Sequence, residues 1–165
     1  MTVQSSDEAA IETIVESVAT FADRAEFDAL ARLYADEFVL DYSSLNDQSA
    51  STRTPADLMA EWAAVLPGFD RTRHAISDIE IDVSGKIATA KADVVASHWI
   101  GDGFWQVVGS YDYVLAKREG RWAITAMAFN LKSETGSRNV FGPAIEAAKT
   151  MALPGYSTAA TGEQS

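Results

Sequence analysis

Residues 86–103, KIATAKADVVASHWIGDG, decide how the rest of the chain is read. As a β-strand, this stretch puts Ala88, Ala90, Ala92, Val94, Ala96 and His98 on one face and Thr89, Lys91, Asp93 and Ser97 on the other, because side chains alternate across a strand. The apolar face points inward, yet it ends in a histidine.

The flanking segments alternate in the same way. RHAISDIEIDV (73–83) leads into a Ser84-Gly85 turn. After Gly101-Asp102-Gly103 comes FWQVVGSYDYVLAKR (104–118), and after Glu119-Gly120 comes RWAITAMAFNLKS (121–133). Short glycine-containing links between alternating runs predict hairpins and an antiparallel meander. Upstream, Ile11, Ile14, Val15, Val18, Phe21 and Ala22 recur at helical spacing and predict a helix over 7–22. A second helix is read in DRAEFDALARLYA (23–35), where Asp23 and Glu26 resemble a capping box. EFVLDYS (37–43) alternates as a half-buried strand, NDQSASTR (46–53) reads as a loop, and Thr54-Pro55 opens a third helix. Pro143 opens a last helix, PAIEAAKTMAL, and residues 154–165 read as a disordered tail after a single domain over 1–153. The pattern predicts an α+β fold: a curved antiparallel sheet wrapped around the N-terminal helices, forming a cone-shaped barrel with one internal pocket.

The 165 residues suffice for one domain with a substantial core. A net charge of -11 argues against nucleic-acid binding, which needs a basic footprint. No apolar run has transmembrane length, and the N-terminus lacks the pattern of a secretory signal, so a cytoplasmic location is expected. The absence of cysteine removes disulfides, thiol nucleophiles and Cys-based metal sites. Two histidines are too few for a His-rich metal site, and no phosphate-binding glycine loop or dinucleotide fingerprint occurs. The expectation is no metal and no organic cofactor.

Polar residues of inward parity are therefore the candidates for chemistry. Tyr42 follows Phe38 and Leu40, His98 follows Ala96, and Tyr111 and Tyr113 continue the series Trp105, Val107, Gly109. On the last strand, Asn130 shares the parity of Trp122 and Ile124. Each alone is ordinarily a core residue with its polar atom hydrogen-bonded. Their convergence on one apolar space points to function, because each is costly to bury. His74 shares a face with Ile76, whereas SDIEIDV is apolar at odd positions, so a bulge or break lies between. Asp23 lies off the apolar stripe of its helix, and capping the next helix is its simplest role.

In order and spacing these residues resemble the nuclear transport factor 2-like superfamily of cone-shaped α+β barrels, which includes ketosteroid isomerases and SnoaL-like, polyketide-cyclase-like proteins. The nearest likeness is to scytalone dehydratase-like members, then to hexachlorocyclohexane dehydrochlorinase, over about residues 8–135. FADRAEFDAL carries Asp23, FVLDYSSL carries Tyr42, RTRHAIS carries His74 and VASHWI carries His98. The dehydrochlorinase matches only at Asp23 and His74. The position before the aspartate, a second tyrosine in the dehydratase, is Ala22 here; the dehydratase asparagine falls near Tyr111, and the dehydrochlorinase arginine on Met127. The substrate is accordingly expected to differ from scytalone.

The resemblance implies a cofactor-independent dehydratase acting on a small, mostly apolar cyclic hydroxy ketone. His74 would be the base, Asp23 its orienting carboxylate, Tyr42 the donor to the carbonyl oxygen, and His98 the group that holds a water or helps the hydroxyl leave. Asn130 and Tyr111, with Trp62, Met127 and Phe141, form the expected substrate contacts, and the helix after NVFG would close the mouth. An isomerase of the same fold, normally built on an inward carboxylate base, is the alternative, as is a non-catalytic binding protein. The strand acids Asp93 and Asp112 have outward parity. Relatives assemble through the outer sheet face, where Val95, Trp99, Val108 and Val114 lie here, so a homo-oligomer is expected, with a trimer favoured over a dimer.

Overall fold

A computed structural model describes residues 5–151. Helix α1 (Ser6–Asp23) opens with a capping box. The Ser5 hydroxyl accepts from the Glu8 N–H at 3.0 Å and the Glu8 carboxylate accepts from the Ser5 N–H at 2.9 Å. Its apolar stripe, Ile11, Val15, Val18 and Ala22, is buried. A short helix α2 (Phe27–Ala31) follows, far briefer than the sequence predicts, because strand β1 (Tyr34–Asp41) already begins at Tyr34. After α3 (Ser43–Asn46), the predicted loop contains a three-residue strand β2 (Ser51–Arg53) that pairs with β1. Thr54 caps α4 (Pro55–Ala63) as expected, its side chain accepting from Asp57 N–H.

Four long strands follow: β3 (Arg71–Ser84), β4 (Ile87–Ile100), β5 (Gly103–Arg118) and β6 (Arg121–Gly136). They form the expected antiparallel meander. The sheet order is β2-β1-β6-β5-β4-β3, and β1 joins β6 in parallel. One pair in the expected antiparallel sheet runs parallel: β1 arrives from the helical segment rather than through a hairpin with β6, so hairpin logic does not set its direction. Its ends, β2 and β3, are not paired to each other, so the expected cone is curved and left unclosed.

The alternation in β4 is as read, with Ala88, Ala90, Ala92, Val94, Ala96 and His98 all buried. These small side chains leave room for α1, which packs across β3 and against β4. On the outer face, Val95 and Val114 are each 36% exposed, while the Arg71 guanidinium lies over the Trp99 ring. Helix α5 (Phe141–Ala148) starts two residues before Pro143. It rests on the turn Leu66–Gly68 so closely that a Cβ on Gly68 would overlap the Ala144 carbonyl. No helix among the described residues is long and apolar enough to cross a membrane. The tail over 154–165 lies outside the described residues.

Candidate active site

The site begins at the end of α1. Asp23 is its last residue, and the chain turns there through a Schellman arrangement: Glu26 N–H donates to Phe21 O and Ala25 N–H to Ala22 O, with Ala25 at φ 56°. The turn leaves the Asp23 carboxylate beside β3. Thr72 and His74, two residues apart, share a strand face and both reach it. Oδ1 accepts from Thr72 Oγ1 at 2.9 Å and lies 2.7 Å from His74 Nδ1, while Oδ2 accepts from the His74 backbone N–H at 2.8 Å. The capping role is thus corrected: Glu26 is the N-cap of α2, without a side-chain bond, and both Asp23 oxygens are committed to β3. Burial pushes the Asp23 carboxyl up, but the bonds from His74 and Thr72 outweigh it and hold the group below the usual carboxylate range. An ionised carboxylate has no proton to give, so Nδ1 of His74 carries the hydrogen, and in the uncharged ring Nε2 holds a lone pair.

That imidazole lines a cavity of about 260 Å³ between the sheet, α1 and α4, open to solvent on one side. His98, Tyr42, Tyr111, Trp62, Met127 and Phe141 line the same cavity, so the structure brings together seven of the nine predicted residues, with Asp23 standing behind His74. Tyr42 lies one residue past the end of β1. Burial raises its phenol and that of Tyr111, Tyr111 to about 12, so both stay protonated at neutral pH. The Phe129 ring supports the pair, 5.7 Å from Tyr42 and 5.5 Å from Tyr111. His98 lies between the Phe69 and Trp105 rings, at 5.1 and 4.8 Å. Burial first, then the neighbouring His74, lowers its pKa to about 4.

Asn130 is the exception. Val114 pairs with Ala126 but Leu115 with Ile124, which leaves Thr125 as an extra residue in β6. The bulge exchanges the two faces. Trp122 and Ile124 point inward before it and Met127 and Phe129 after it. Asn130 is therefore exposed on the outer face, donating to Asp112 at 2.8 Å. Met127, of outward parity by simple counting, faces the cavity for the same reason.

Sequence reasoning missed Thr72, whose position two before His74 was the available signal. It also missed the charged groups on the cavity's solvent side. Arg138 lines the cavity, donates to Glu134 and to the Leu45 carbonyl, and lies over Trp105. Glu61 lines it too, paired with Arg53 at 2.7 Å. No sequence spacing links these residues, which come from separate elements. Among the described residues no group of three or more acidic or histidine side chains is placed to hold a metal. A general base backed by a carboxylate, facing an apolar chamber with phenol donors on another wall, is equipped to remove a proton from carbon.

Three solved structures show the same architecture. The Kfla4162 protein of Kribbella flavida matches with a TM-score of 0.74 and 26% sequence identity, over 87% of this chain and 97% of its own. A scytalone dehydratase candidate of Novosphingobium aromaticivorans matches with a TM-score of 0.68 and 21% identity, over 80% and 88%. A type 2 hexachlorocyclohexane dehydrochlorinase matches with a TM-score of 0.70 and 16% identity, over 91% and 95%. No curated protein matches the sequence significantly. The family model of the SnoaL-like domain covers residues 3–128. The chain belongs to the SnoaL-like family and has its nuclear transport factor 2-like cone fold.

Proposed function

We propose that this protein is a cofactor-independent lyase, a dehydratase that removes water from a small, mostly apolar cyclic hydroxy ketone. The observation that carries this reading is the 2.7 Å contact between Asp23 and His74 Nδ1, which turns Nε2 of a cavity-lining imidazole into a base. His74 takes the proton α to the carbonyl. Asp23 fixes the tautomer and stabilises the imidazolium. Tyr42, which lines the cavity with Tyr111, donates to the carbonyl oxygen as enolate charge develops. The β-hydroxyl then leaves as water. The names of two structural neighbours describe eliminations, of water and of hydrogen chloride. An isomerase would call for an inward carboxylate, and Asp93 and Asp112 are both exposed on the outer face.

The test is incubation in D₂O with a panel of cyclic ketones and β-hydroxy ketones, followed by NMR. Elimination is expected, with α-proton exchange. His74→Ala should lower the rate by about 10²–10⁴-fold, the usual contribution of a general base. Exchange without water loss identifies an isomerase, and activity undiminished in His74→Ala removes the assignment.

A further inference from the structure

A second, smaller cavity of about 50 Å³ adjoins the first and shares Tyr42, Asn46, Glu61 and Trp62 with it as walls. The sequence gives this annex a different lining. Helix α3 ends at Asn46, Gln48 and Ser49 lead on towards β2, and Ser51 and Arg53, two residues apart, share a face of that strand. All of these line the annex and all are polar, whereas the main cavity is walled mostly by apolar side chains. The annex has room for a few water-sized groups. Its charges cancel. Arg53 donates from Nη1 to Glu61 Oε1 at 2.7 Å and from Nε to Ser51 Oγ at 3.0 Å. Arg138, which lines the main cavity, is likewise matched, by Glu134.

We propose that the annex is a second substrate subsite, which takes an uncharged hydrogen-bonding arm such as a carboxamide or a hydroxyl-bearing chain, so that the substrate is a neutral amphiphile: a ring in the apolar cavity and a short polar arm beside it. A carboxylate in the annex would meet no unmatched cation, would have to displace Glu61 from Arg53, and would enter a chain of net charge -11. An ammonium would give up its water for a glutamate already engaged. What remains on offer is a mixture of donors and acceptors: Nη2 of Arg53, the Gln48 amide and the Ser49 hydroxyl. A neutral group that both donates and accepts matches that mixture without uncovering a charge. Where the arm is attached rests on the dehydratase reading above. Tyr42 stands between the two cavities and donates to the ring carbonyl, so the arm is carried on the carbonyl side of the ring, away from His74.

The test uses the full ¹⁵N-labelled chain and three unreactive probes with the same ring: 3-phenylpropanamide, 3-phenylpropanoate and ethylbenzene. At pH 7 the amide should shift the side-chain resonances of Gln48 and the Arg53 Nε–H, and ethylbenzene, which lacks the polar end, should not. The amide should bind roughly 10-fold or more tightly than the carboxylate. Glu61→Gln leaves the guanidinium unmatched and should reverse that order; the Glu61 side chain is 53% exposed, so the exchange spares the fold. Adding Arg53→Met to Glu61→Gln should restore the amide to first place. A carboxylate bound by the wild type as tightly as the amide, an amide that fails to bind or leaves Gln48 and Arg53 unshifted, or an unchanged order in Glu61→Gln would each overturn the proposal. Because no probe reacts, these outcomes are independent of whether the enzyme eliminates water, which the D₂O experiment reads.

Discussion

Asp23 occupies the wrong end of its helix. The C-terminus of α1 carries the negative pole of the macrodipole, and its last turn has no basic residue to offset the acid. The placement becomes reasonable only through β3, where three hydrogen bonds from Thr72 and His74 converge on the carboxylate. Asp23→Asn keeps the shape but turns one oxygen into a donor facing donors. The imidazole then loses the partner that fixes its tautomer, and turnover should fall by on the order of 10²-fold or more, as measured by the NMR elimination assay. A variant that loses stability while keeping its specific rate would show the carboxylate to be structural. Tyr113 is the opposite case, a polar atom with no evident use. It is 1% exposed and its hydroxyl has no partner among the described residues. Tyr113→Phe removes an unsatisfied oxygen without removing the ring, and should stabilise the fold by about 1 kcal/mol, or raise Tm by about 2–4 °C, in a thermal melt.

At the scale of elements, what was legible in the sequence followed from periodicity, and what was hidden followed from breaks in it. The β4 stripe ending in His98 was readable because fourteen residues keep one register. The break after His74 was readable because the apolar parity changes sign, and the structure places a register shift between Ser77 and Glu80 with Asp78 at φ 53°. The Thr125 bulge is not readable, because both faces of β6 are apolar and no parity change marks it; counting straight through it places Asn130 inward. The Ala25 turn was hidden too, since a glycine usually signals a left-handed residue at a helix end and alanine does not. This turn aims Asp23, so substitutions there should act on catalysis through geometry. Ala25→Val forces a β-branched residue into left-handed space and should cost about 1–3 kcal/mol, with a loss of turnover in the molecules that remain folded. Ala25→Gly relieves the strain and should leave turnover intact. Denaturant unfolding and the elimination assay, run on both variants, check this. Equal behaviour of the two would mean that the turn does not position the carboxylate.

At the scale of the whole molecule, the response to acid contains two opposed contributions. The chain carries a net charge of -11 at neutral pH, and self-repulsion relaxes as pH falls towards the pI of about 4.5. The buried His98 acts in the other direction. Its folded-state pKa is near 4 against an ordinary value of 6.5, so below pH 6.5 the unfolded chain binds a proton that the folded chain refuses. His98 therefore contributes nothing adverse above pH 6.5, and stability drains away as pH falls from 6.5 to about 4. The full effect is on the order of 3 kcal/mol. Asp23, depressed by its hydrogen bonds, loses its own contribution only as pH falls through its lowered folded-state value, in a window below that of His98. The global charge is common to wild type and His98→Gln, whose side chain does not titrate, so the difference between them isolates the histidine. Urea unfolding of both proteins at intervals from pH 7.5 to 4 should show wild type losing about 3 kcal/mol relative to the variant, with most of the change below pH 6.5. Parallel stability curves would mean that the ring takes up a proton in the folded cavity as readily as in water, and that the low polarity around it does not govern its charge.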